Sequence, residues 1–161
     1  MTPQNEIQNL PGKLIIFEWA DWVWKTTQAK KLKKHLKSQW ALAKHTQWKS
    51  GRYFRDFFDT QQLQSRKKVA HPRSTLMLHV ADLLYRIEKE VIPAMKKWKT
   101  VILDRSIETV YVRGFSIGLT RDQIQNALLW PIEHVYKDLF ENATFVYFHT
   151  DPAVALKRLQ E

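Results

Sequence analysis

Apolar and polar positions follow two rhythms along this chain. Residues 13–18 (KLIIFE) form an apolar run of β-formers without alternation, the pattern of a strand buried on both faces. Residues 26–39 place Ala29, Leu32 and Leu36 in one stripe with charge elsewhere, which predicts an amphipathic helix. Residues 40–46 read as a short second strand, 50–59 as a short amphipathic helix, and 61–72 as a polar, basic loop. Leu76, Leu78, Ala81, Leu84, Ile87 and Val91 recur every three or four residues, predicting a long helix over 74–97 with Pro93 late in it. Two more buried strands are predicted at 100–103 (TVIL) and 143–148 (ATFVYF), with a helix over 120–139 interrupted near Pro131. Asp151, as an N-cap followed by Pro152, opens a further helix over 151–160. Strands alternating with helices imply an α/β fold, a parallel sheet covered on both faces. No repeat, low-complexity segment or linker divides residues 1–161, so one domain is expected.

Composition narrows the function. The 161 residues are 44% apolar and 26% charged, which is globular usage and length enough for a core. Cysteine is absent, so there is no disulfide framework, which fits a reducing cytoplasm. The run LIIF is too short for a secretion signal or a membrane span, so a cytoplasmic protein without membrane contact is expected. The net charge of +10 suits nucleic acid, a membrane surface or a small anionic substrate. Many lysines cluster in KTTQAKKLKKHLK (25–37) at helical spacing, which reads as a solvated helix face. No interleaving of basic and aromatic residues suggests base stacking, so no nucleic-acid partner is expected.

The segment FEWADWVWKTTQ (17–28) follows a buried strand and opens a helix, the place of a phosphate-binding loop, G-x-x-x-x-G-K-[ST]. Lys25 and Thr26 take the K-[ST] positions, while Trp19 and Trp24 take both glycine positions. Written with glycine at 19, 22 and 24, the segment becomes FEGADGVGKTTQ, and this resembles the signature loop of the thymidylate kinase family. Asp104-Arg105 after TVIL resembles the family's D-R motif, although Ser106 replaces its tyrosine. ATFVYFHTDPAVALKR is similar to its later strand and D-P-x-x-A-L-x-R helix. Gly51 and Arg55 match a G-x-x-x-R substrate segment, and LMLHVADLLYR (76–86) lies where the family has its substrate-facing helix. Leu83 sits where many members carry an arginine. DRSIETVYVRG looks like a subgroup with D-R-Y-x-x-T-x-x-x-R. The resemblance runs from Lys13 to Arg158.

What the resemblance implies is a three-layer P-loop kinase that transfers the ATP γ-phosphate to dTMP, with Mg2+. ATP would lie along Trp19, Ala20, Asp21, Trp22, Val23, Trp24, Lys25, Thr26 and Thr27. Lys25 would reach the β- and γ-phosphates, Thr26 and Asp104 would hold the metal, and Arg105 the acceptor phosphate. Asp21 would meet the acceptor's sugar and Arg55 its phosphate. His79, Arg86 and Arg113 would line the acceptor side. Catalysis is assigned to Lys25, Asp104 and Arg105. A homodimer is compatible with it. The family's basic lid, with its arginine, is placed after Arg158, where the final helix has run barely three turns before Glu161; this is the pattern of a truncated product. Two alternatives stay open: a P-loop kinase for another nucleotide, and a non-catalytic interaction protein.

The tryptophans sharpen this. Glycine occurs 4 times and tryptophan 7 times, against glycine usage of about 7% in average proteins. Besides the three in the loop, Trp40 and Trp98 each follow a predicted helix where glycine is the usual C′ residue. Trp48 and Trp130 show no such demand. The pattern fits a gene in which UGA specifies glycine but is rendered as tryptophan. The rival is a true pseudo-kinase or a loop knock-out.

Overall fold

The structure, a computed structural model, describes residues 7–18, 25–48, 54–56, 71–149, 151 and 154, with Lys25 by its backbone. The phosphate-loop residues 19–24, Gly51, most of the loop expected over 61–72 and most of the last predicted helix lie outside them.

Strands β1 (Lys13–Glu18), β2 (Ala43–Gln47), β3 (Thr100–Asp104) and β4 (Thr144–Tyr147) form one sheet. Their order is β2-β3-β1-β4, and each neighbouring pair is parallel. Phe17 of β1 and Gln47 of β2 both pair with Asp104 of β3. The carboxyl ends of these three strands are therefore level, along the edge where open α/β sheets bind ligands.

Helix α1 (Lys25–Ser38) follows β1. Helix α2 (Pro72–Arg86) passes through a π-helical stretch, Ile87–Val91, into α3 (Ile92–Met95), which precedes β3. Helix α4 (Ile107–Ser116) follows β3. Helix α5 (Arg121–Leu128) enters a second π-helical stretch, Leu129–Val135, before α6 (Lys137–Glu141). Pro93 follows the first π stretch and Pro131 lies within the second. Proline lacks the N–H and crowds the carbonyl four residues back, and a widened turn relieves that clash.

The apolar run of β1 divides between two cores. Leu14 and Ile16, with Val101 and Leu103, face Leu76, Val80, Leu83 and Ile87 of the α2 side. Ile15 and Phe17, with Ile102, face Ala29, Leu32 and Leu36 of α1. Both faces of the strand are thus covered, which explains why positions 14–17, between Lys13 and Glu18, are all apolar. Each fully buried aliphatic side chain here contributes about 1.5–3 kcal/mol.

Two elements differ from expectation. Helix α4 is not foreseen by the periodicity, because residues 106–116 read only as a motif. Its start is fixed by the Ser106 hydroxyl, which accepts from the Ile107 N–H, and Val110 and Gly114 face inward. The second strand begins at Ala43 rather than at 40, because Trp40 and Ala41 close α1.

That closure recurs. Trp40 has φ 60°; its N–H donates to the Lys37 carbonyl and the Ala41 N–H to Leu36. Trp98 has φ 59°; its N–H donates to Met95 and the Lys99 N–H to Ala94. Gly118 has φ 84°, with its N–H on Phe115 and the Leu119 N–H on Gly114. All three are Schellman caps, whose C′ residue is left-handed and usually glycine. Among the described residues one motif thus appears three times, once with glycine and twice with tryptophan. Both indoles point into solvent, Trp40 97% and Trp98 74% exposed, so no packing offsets their backbone strain.

Candidate functional site

β1 ends at Glu18 and β3 at Asp104, and α1 begins at Lys25 above the same edge. Thr26, in the first turn of α1, donates through Oγ1 to Asp104 Oδ2 at 2.7 Å. The K-[ST] and D-R motifs, far apart in sequence, thus meet. The first N–H groups of α1 have no intrahelical acceptor and carry the positive end of the helix dipole, which favours phosphate.

Asp104 is buried. Burial alone would push its carboxyl up, but the His45 imidazole, the Thr26 hydroxyl and the Arg105 guanidinium outweigh this and hold it below its ordinary value. It is an anion at neutral pH. His45 Nε2 stands 3.7 Å from Oδ2, beyond hydrogen-bond reach. Oδ1 is buried with no hydrogen-bond partner among the described residues. An ionised carboxylate with one oxygen to spare, beside a threonine hydroxyl, suits a hard dication. Among the described residues no three His, Cys, Asp or Glu side chains could hold an ion by themselves. Mg2+ suits such a site, since it commonly takes one or two protein oxygens and completes its shell with water and phosphate.

Arg105 follows Asp104 with φ 73°, a left-handed conformation that costs a non-glycine residue about 1–2 kcal/mol. Its guanidinium lies 5.8 Å from the centroid of the Trp48 ring. Arg113, in the last turn of α4, stands 5.0 Å from the same ring. His79, on α2, packs its ring 5.3 Å from Trp48. Three residues expected on the acceptor side are therefore gathered round one indole at the end of β2. Arg55 is exposed on the helical turn 54–56, whose Phe54 lies 5.8 Å from Tyr85 of α2. Thr27 is exposed on α1.

Arg86, expected to line the acceptor side, instead faces inward and is 2% exposed. Its Nε pairs with Asp82 Oδ2 at 3.2 Å, and its Nη1 donates to the carbonyls of Asp104 and Arg105. Its position one turn beyond Asp82 gave no sign of this, because the helical stripe identifies a face but not what that face meets.

Glu18, His45 and Trp48 were not among the expected site residues. Glu18 had a legible signal, a carboxylate closing an otherwise apolar buried strand. It accepts from the Ser106 N–H at 2.6 Å and from the Thr109 hydroxyl at 3.1 Å. Burial pushes its carboxyl up, and these two hydrogen bonds offset only part of that. A carboxyl raised on folding binds more protons in the folded state, so stability falls as pH rises above the unfolded value of about 4.3. Glu18→Gln removes the penalty and keeps an oxygen for Ser106. Its urea midpoint at pH 7 should exceed that of the parent, and the gap should close as the pH falls towards that value. A gap independent of pH would contradict this.

The family model for thymidylate kinase matches residues 17–161, beginning at the phenylalanine that opens the loop segment. The chain belongs to the thymidylate kinase family. The thymidylate kinase of Caldanaerobacter subterraneus subsp. tengcongensis is 31% identical over 154 residues, covering 92% of this chain and 69% of that protein. That of a Geobacillus species is 26% identical over 153 residues, covering 94% and 70%. In structure, the thymidylate kinase of Ehrlichia chaffeensis superposes with a TM-score of 0.64 at 21% identity, over 92% of this chain and 82% of that one. This member of the thymidylate kinase family therefore has the family's fold, and its Thr26–Asp104 contact lies at the carboxyl edge of the sheet, with Arg105 beside it.

Proposed function

We propose that this chain, once glycine stands at 19, 22 and 24, transfers the γ-phosphate of ATP to dTMP, giving dTDP. The observation that carries the reading is the Thr26–Asp104 hydrogen bond at the carboxyl edge, with Arg105 next in sequence. Phosphoryl transfer needs positioning and charge neutralisation more than covalent chemistry. Lys25 and the backbone of 19–24, with Thr26 and Thr27, bind the ATP phosphates. Thr26 and Asp104 hold Mg2+, which supplies neutralisation of the β- and γ-phosphate oxygens. Arg105 fixes the acceptor phosphate in line with the donor, Arg55 and Arg113 add positive charge on the acceptor side, Asp21 meets its sugar, and His79 lies towards its base. The cytoplasm, as a reducing compartment, suits a chain without cysteine.

The test is phosphate transfer from ATP to a panel of nucleoside monophosphates, using full-length protein that carries the lid and has glycine at 19, 22 and 24. dTMP should be the preferred acceptor. Preference for another nucleotide overturns the substrate, and intact ATP binding without transfer to any acceptor overturns the reaction. In the same protein, Asp104→Asn should lower kcat about a hundredfold or more, the scale on which removal of a preorganised electrostatic group acts. Steady-state rates at saturating Mg2+ and ATP give the comparison, and a loss below threefold would remove Asp104 from the metal site.

A further inference from the structure

We propose that Glu18 and Arg86 are positioning residues that lock the backbone of Arg105, and so the direction of its guanidinium. The inference rests on the reading of Arg105 as the acceptor-phosphate group. It starts from the strained φ of 73°. A non-glycine residue stays left-handed only where its surroundings over-determine it.

The surroundings do so here peptide by peptide. In the peptide before Cα of Arg105, the Asp104 carbonyl accepts from Arg86 Nη1 at 3.2 Å, and the Arg105 N–H donates to the Phe17 carbonyl at 3.0 Å. In the peptide after it, the Arg105 carbonyl accepts from the same Nη1 at 2.8 Å, and the Ser106 N–H donates to Glu18 Oε1 at 2.6 Å. All four polar groups of the two flanking peptides are therefore bonded. A rotation of φ or ψ at residue 105 breaks at least one of these bonds in a buried setting.

The two clamping side chains are themselves held. Asp82 pairs with Arg86 at 3.2 Å, and Thr109 donates to the second oxygen of Glu18 at 3.1 Å. They come from different elements, Glu18 from the end of β1 and Arg86 from the last turn of α2. Both are nearly inaccessible, 1% and 2% exposed, so in this arrangement they act through Arg105 rather than on a ligand. The locked backbone turns the Arg105 guanidinium towards Trp48.

Two measurements test the clamp. The first needs no ligand: the 13Cα shift of Arg105 and the amide exchange of Arg105 and Ser106. Arg86→Met should move the shift out of the left-handed range and speed exchange tenfold or more. Glu18→Ala should do the same at Ser106, and Glu18→Gln, which keeps the oxygen for the Ser106 N–H, should preserve both values. If Arg86→Met does not fold, the Glu18 pair carries the readout. The second is dTMP affinity by calorimetry in protein with glycine at 19, 22 and 24. Arg86→Met should weaken it about tenfold, and should cost nothing further once Arg105→Met is present, because residues acting through one group are not additive. Unchanged shift and exchange, or additive losses, overturn the clamp. If Arg105→Met leaves dTMP affinity unchanged, the assignment of Arg105 to the acceptor fails, while the shift still decides whether the clamp exists.

Discussion

Replacing Trp19, Trp22 and Trp24 with glycine will turn a chain with no measurable affinity for ATP into one that binds it on the micromolar to sub-millimolar scale usual for enzyme substrates. The loop joins Glu18, at the end of β1, to Lys25, at the start of α1. A loop in that place binds phosphate by wrapping backbone N–H groups closely round it, helped by the helix terminus. Glycine permits both the left-handed turns and the close approach, and an indole at the same position obstructs each. Beside the loop, Thr26 is already bonded to Asp104 and the Arg105 backbone is held next to it. The gain should exceed a hundredfold. Calorimetric titration with ATP and Mg2+ measures it, and micromolar binding by the chain as it stands would refute the expectation.

Trp40→Gly and Trp98→Gly should each stabilise the fold by about 1 kcal/mol. A left-handed conformation costs a non-glycine residue about 1–2 kcal/mol, and glycine's greater unfolded-state entropy returns about 0.5–1 kcal/mol of that. With the side chains 97% and 74% exposed, little packing is lost. The double variant should melt about 4–8 °C higher, at about 2–4 °C per kcal/mol for a chain of this size. Gly118, in the same cap, supplies the control: Gly118→Trp should destabilise by a similar amount although nothing lies within 4 Å of its Cβ position. Trp130→Gly gives the opposite sign, since Trp130 is 70% exposed within a helical stretch, where glycine is unfavourable. A double variant that melts at or below the parent would sink the argument. The coding sequence adds a separate check: UGA at 19, 22, 24, 40 and 98 is expected, and UGG at any of them counts against glycine decoding.

The sheet was legible because buried parallel strands are apolar throughout, and KLIIFE and TVIL are unmistakable in that respect. The caps at Trp40 and Trp98 were legible too, from where their helices had to stop. Helix α4 was not. Its inward face is short and interrupted by Thr109 and Gly114, so its periodicity is weak, and its start depends on a hydroxyl–amide bond at Ser106 that composition does not announce. In the site, the family resemblance implied that Thr26 and Asp104 share a metal, and the fold brings the two side chains within hydrogen-bond distance. The inward turn of Arg86 was invisible, because it depends on carbonyls from a strand end that no sequence period marks. Trp48 escaped for a similar reason, its importance arising only from what converges on it.

The parallel register described above has a consequence for how damage is distributed in this molecule. Residues 19–24 are joined in sequence to Glu18, whose strand end lies at the carboxyl edge. Trp40 and Trp98 lie just before β2 and β3, which are hydrogen-bonded neighbours starting at paired residues Ala43 and Thr100, and so belong to the opposite edge. Two exposed indoles thus stand on adjoining turns, at the end of the sheet away from the Thr26–Asp104 contact. Substitutions at 40 and 98 should therefore change stability at the amino edge of β2 and β3 and leave the Thr26–Asp104 contact at the carboxyl edge untouched.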